Sequence, residues 1–145
     1  MKKNLIIIFI WIGFVCAISF MESWLKFLAP NITLELGLGI GKLVFTALNI
    51  MEIVFLISVS INSIVLYKKE NKSIHYSFLI IVLIMLIQTS WLLPILNTRA
   101  EQIINGIILE KSNIHFIYVM LEVLKVLCLF IFGTTLLKKL TVQNE

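Results

Sequence analysis

Residues 114–137 read IHFIYVMLEVLKVLCLFIFGTTLL. A helix that crosses the hydrocarbon of a bilayer takes about 20 mostly apolar residues, and this run is long enough. It is broken near its middle by two charged residues, Glu122 and Lys125. The run therefore sets both the solvent of the chain and the place where chemistry would sit. Ionisable groups in such a run are costly and usually face other protein or a water-filled cavity.

Working outward, three further runs have the same character, at about 5–21, 38–67 and 76–96. The chain has 145 residues, of which 60 % are apolar and 14 % charged, with a mean hydropathy of +1.05. Soluble domains carry about 25 % charged residues. The expected fold is all-α: an integral membrane four-helix bundle forming one domain over 1–145, with both termini cytoplasmic.

The net charge of +4 does not point to nucleic acid, because the basic residues lie at the ends of the apolar runs. Lys2, Lys3, Lys68, Lys69, Lys72, Lys138 and Lys139 fall on one side, against Lys26, Arg99 and Lys111 on the other. Basic residues accumulate on the cytoplasmic side, which places the termini and the 68–74 loop there. The first run also fits a signal peptide, with Lys2-Lys3 ahead of it and small residues Ala17 and Ser19 behind. A bundle left with three helices would be thin, so the run is taken as a span.

Two segments on the far side read as surface elements. Trp24 and Phe27 flank Lys26 in a short interfacial helix, and 98–111 fits an amphipathic helix with Gly106 in its interior. Pro94 is expected to kink or end the third span, and Trp91 to join the interfacial aromatic belt. Asn31-Ile32-Thr33 matches a glycosylation sequon.

The polar residues inside the runs are ordered. Lys42, Asn49 and Glu52 fall within an arc of about 80° on the second helix, at 100° per residue. His115, Tyr118, Glu122 and Lys125 repeat that geometry on the fourth, and Gln88 lies in the third. Two polar stripes are expected to meet, pairing Lys42 with Glu122 and Lys125 with Glu52. These eight residues form the candidate intramembrane polar site.

Several chemistries are set aside. Gly37, Gly39, Gly41 and Lys42 do not fit a phosphate loop, since Leu36 stands at the first glycine position and Leu43 follows the lysine. Gly37-x3-Gly41 instead suits close helix approach. Cys16 and Cys128 form no Cys-x-x-Cys motif, His75 and His115 lie at opposite membrane faces, and all eight acids are Glu. No cofactor, metal or nucleophilic triad is expected.

The pattern Phe27-Leu28-Ala29-Pro30, Gly41-Lys42-Leu43, Trp91-Leu92-x-Pro94, Arg99 and His115 resembles the transmembrane protein 205-like domain of unknown function, a four-helix family. That resemblance implies the fold and no activity. Lys42-x6-Asn49-x2-Glu52 resembles the signature of the membrane-associated eicosanoid and glutathione metabolism family, which implies glutathione binding at those three residues. The sequence lacks that family's second-helix proline and its arginine-rich surroundings.

Three functions stay open: a polar, outward-facing site that binds or permeates a small solute or protons; an accessory or assembly subunit of a membrane complex; and a glutathione- or lipid-modifying enzyme. Expected partners are the lipid bilayer and either further copies of the chain or a larger complex. The location is the cell membrane, the cytoplasmic one if the richness in Ile, Lys and Asn reflects a bacterial source.

Overall fold

The computed structural model of the chain describes residues 2–70 and 76–142, which are mostly helical and contain no strand. Four long helices run Lys2–Leu28, Leu34–Glu70, Tyr76–Ile104 and Ile114–Val142, each long and apolar enough to cross a membrane. At 1.5 Å per residue they are about 40 to 55 Å long, more than the roughly 30 Å of a hydrocarbon core. Both termini lie at one end, here the terminal end. The 29–33 and 105–113 connections lie at the other, the loop end. His75 and Lys72 fall outside the described residues.

The helices form a ring in which the first and third each pack against the second and fourth. The third helix changes neighbour along its length: 76–87 packs on the fourth helix, and 93–104 on the second. The second and fourth helices therefore face each other across the diagonal, and their polar faces meet through side chains in the middle of the ring.

The first helix is continuous and part of this ring. Ile8, Trp11 and Val15 are fully buried in a core shared with Val59, Ile81, Leu129 and Phe132. The interfacial helix expected around Lys26 is the loop end of this same helix. Its middle, Cys16–Glu22, is a π-helical stretch. In an α-helix, residues four apart drift by about 40°, whereas a π turn takes up the extra residue. Val15, Ser19 and Ser23 thus stay on the inward face.

The third helix uses the same device at Gln88–Leu92, which keeps Ile84, Gln88 and Leu92 buried in line. Of the two expected effects of Pro94, ending the helix does not occur. Pro94 sits in the first turn after the π stretch, where the wider turn tolerates its missing N–H. Trp91 points away from the ring and is exposed.

The amphipathic helix expected over 98–111 is not formed. Residues 98–104 instead extend the third helix, which stops at Gly106. The Gly106 N–H bonds the Ile103 carbonyl and the Ile107 N–H bonds the Gln102 carbonyl, each at 2.9 Å. This is a Schellman closure, which needs a residue at positive φ, and Gly106 supplies it at 79°. The connection is then tied back by Arg99, whose Nη2 donates to the Glu110 carbonyl at 2.6 Å.

At the loop end the second helix starts on a side-chain cap, the Leu36 N–H donating to Thr33 Oγ1 at 3.3 Å. Asn31 makes the preceding turn at φ 62°, a conformation that asparagine tolerates better than most residues. Gly37 then receives the Phe27 ring, since a Cβ there would lie 2.1 Å from Phe27 Cε1. The expected close approach at Gly37 is real, but what it admits is an aromatic side chain. At the terminal end, Gly133 brings the fourth helix within van der Waals reach of Ile8.

Candidate functional site

Glu52 lies midway along the second helix, and its side chain is fully buried. Glu122 and Lys125, one turn apart on the fourth helix, are equally buried. Lys125 Nζ stands 2.5 Å from Glu52 Oε1 and 3.1 Å from Glu122 Oε1. Of the two expected ion pairs, Lys125 with Glu52 is therefore present. It joins helices whose backbones do not adjoin.

Every other element supplies a partner to this cluster. Trp11 of the first helix donates its indole N–H to Glu52 Oε1 at 2.9 Å. Gln88 of the third helix accepts from Lys125 at 2.8 Å and donates to Glu122 Oε1 at 3.1 Å. Met85 Sδ lies 3.7 Å from the ammonium. Gln88 heads the π stretch, so the wide turn sets the side chain that spans both charges. Trp11 was not foreseen. The signal for it was a tryptophan in mid-run, since tryptophans in spans gather at the interfaces and a buried indole N–H seeks an acceptor.

The second expected pair is not formed. Lys42 pairs with Glu101 of the third helix, in a bridge that is partly open to solvent. Lys42 and Glu122 lie equally far from their helix starts, but that count ignores how the helices are offset. Ten residues separate Lys42 from Glu52, about 15 Å at helical rise, and Glu122 shares the level of Glu52. A lysine side chain does not cover that drop. Glu101 reaches the level of Lys42 because the third helix continues past Pro94.

Asn49, nearly buried, donates to Thr89 Oγ1 at 2.9 Å, one turn toward the loop end. Tyr118 is buried beside Glu122 and packs edge-on against Phe45 at 5.8 Å between centroids. His115 lies one turn further out. Tyr118 and His115 form part of the wall of a cavity of about 250 Å³, to which all four helices contribute at the loop end. Toward the terminal end the cluster is closed by Ile8, Val59, Ile81, Leu129 and Phe132. The site is therefore asymmetric, with an open cavity on one side and packed hydrocarbon on the other.

The charges do not cancel. Two carboxylates face a single ammonium, all three with no exposure. Glu52 Oε2 and Ser19 Oγ are buried without a hydrogen-bond partner, and the Tyr118 hydroxyl lies against the Glu122 carboxylate. Buried polar atoms are normally satisfied by protein or by ordered water. Among the described residues no cluster of histidine, cysteine and acidic groups is suited to a metal ion.

The site thus gathers seven of the eight expected residues around one axis, with Glu52, Gln88, Glu122 and Lys125 at its centre. Asn49, Tyr118 and His115 lie in steps toward the cavity, and Lys42 is at the rim with a different partner. Compared with known proteins, the chain matches no family model, no curated sequence and no solved structure.

Proposed function

We propose that the chain is a four-span membrane protein with cytoplasmic termini, whose Glu52–Lys125–Glu122 cluster binds a proton and exchanges it with the outer side through the cavity. The carrying observation is the charge count: two fully buried carboxylates against one buried ammonium. A net charge held in hydrocarbon costs roughly 2.5–3.5 kcal/mol even on the most lenient insertion scale. One proton on either carboxylate removes that charge.

The lysine bias supports the orientation. Lys2, Lys3, Lys138 and Lys139 stand at the terminal end, and cytoplasmic faces carry the excess of basic residues. The cavity then opens outward, and the seal from Ile8 to Phe132 separates the cluster from the cytoplasm. Such a site loads from outside, and release to the inside requires the seal to part. This is the asymmetry expected of a proton-linked solute carrier or a proton sensor.

Infrared difference spectroscopy across pH tests the proposal in reconstituted membranes. It should show a protonated-carboxyl band that is lost or shifted in both Glu52→Gln and Glu122→Gln. If no such band appears at any pH, and proteoliposomes show no proton uptake that depends on either residue, the cluster is a structural clamp and the proposal fails.

A further inference from the structure

The loop-end cavity has a character of its own. It measures about 250 Å³, below the roughly 300–1,000 Å³ of pockets for drug-sized ligands, so its occupant is small. Its walls are mainly hydrocarbon and aromatic, including Phe27, Phe45, Leu93 and Leu96. Both charged residues in the wall are lysines, Lys26 and Lys42, while their carboxylate partners Glu22 and Glu101 are not part of it.

The two lysines differ in how they are held. The Lys26 side chain is only 9 % exposed, 3.2 Å from Glu22 Oε2. Its ammonium lies 5.6 and 5.7 Å from the centroids of Phe27 and Phe45. It also lies over Gly41, where an added Cβ would come within 3.0 Å of it. A nearly buried cation kept beside aromatic rings and a bare glycine is built into the wall. Lys42 is freer, because its partner Glu101 is more than half exposed. Exposed bridges of that kind are worth about 1 kcal/mol or less, so another carboxylate can replace Glu101 at little cost.

We infer that this cavity binds a small amphipathic carboxylate. Its apolar body rests against Phe45, Leu93 and Leu96, and its carboxylate lies on the Lys42 ammonium within the field of Lys26. Asn97, also in the wall, gives one amide N–H to Thr46 Oγ1 at 3.5 Å and has a second to offer. A cation is disfavoured by two lysines in the wall. Bare phosphate is disfavoured because most of the surface offers no replacement for its hydration. The inference uses none of Glu52, Glu122 or Lys125, so it stands or falls apart from the proton-binding proposal.

An anionic lipid headgroup entering sideways from the bilayer presents related chemistry, and the test separates the two sources. The full chain is placed in phosphatidylcholine nanodiscs, and its thermal unfolding is followed against benzoate, the neutral isostere benzamide, and inorganic phosphate. Benzoate should stabilise saturably, while benzamide and phosphate should not at equal concentration. Lys42→Gln should weaken benzoate by about tenfold or more, the loss expected for a charge-assisted contact, and Lys42→Arg should restore most of it. Leu96→Trp, which fills the cavity and keeps both lysines, should abolish the response. Equal stabilisation by benzamide, or an unchanged response in both Lys42→Gln and Leu96→Trp, overturns the inference. So does displacement of benzoate when phosphatidylglycerol replaces phosphatidylcholine, since the occupant is then lipid.

Discussion

Neutralising the buried cluster in steps gives an outcome that contact counting does not. Glu52, Glu122 and Lys125 are each fully buried and hold two formal negative charges against one positive. Glu52→Gln or Glu122→Gln leaves one carboxylate with one ammonium. The amide oxygen still accepts from Lys125, so each single change should cost no more than about 1 kcal/mol, the scale of one hydrogen bond. The double variant leaves Lys125 among amide oxygens and the Met85 sulfur, with no counter-charge. Its uncompensated ammonium should cost about 2.5–3.5 kcal/mol. Lys125→Met leaves two facing carboxylates, and removing one partner of a buried pair costs about 3–5 kcal/mol. The triple variant, Lys125→Met with both Glu→Gln changes, carries no charge. It should recover to within about 2 kcal/mol of the native chain, since neutral replacements of buried ion clusters are often tolerated. Unfolding in mixed micelles, followed by helix content against the fraction of denaturing detergent, measures the series. Stability that falls steadily with each added substitution, with the triple variant worst, would refute the charge accounting.

Trp11→Phe keeps the ring packing against Phe55 but removes the N–H donor to Glu52; the same unfolding assay should register about 1.5–3 kcal/mol, the range for a hydrogen bond to a charged group. Gly37→Val pushes a side chain into the Phe27 ring and should destabilise by about 1–3 kcal/mol, with Phe27→Ala in the same chain returning part of the loss. The orientation is read by Ile108→Cys, at a site 98 % exposed in the loop-end connection, with Cys16 and Cys128 replaced by Ser and Ala. A membrane-impermeant maleimide should label it from outside intact cells, and labelling only after lysis would reverse the topology.

Much of the molecule was legible along the chain because long apolar runs leave few structural choices. A span must be long, apolar and internally hydrogen-bonded, so four apolar runs separated by polar breaks specify four helices. Charge inside oil must be answered by charge or polarity. The stripes at Lys42, Asn49 and Glu52 and at His115, Tyr118, Glu122 and Lys125 therefore declared an inward face before any packing was known, and the Lys125–Glu52 pair followed from matching depths.

The partners that depend on tilt, offset and neighbour were decided only by tertiary structure. Approximate depth along each run paired Lys42 with Glu122, but the extended third helix brings Glu101 to Lys42 instead. That extension passes Pro94 on a wide turn and closes at Gly106, where the charged residues Arg99, Glu101 and Glu110 had suggested a separate surface helix. Trp11 meets Glu52 because the first helix packs beside the second, a neighbour relation that no single-helix pattern contains. Sequence by itself determined which polar side chains belong inside the bundle, because the cost of leaving them on an apolar helix surface is local to each residue. Which of them touch, and that two carboxylates share one ammonium beneath an open cavity, are properties of four helix axes fixed together.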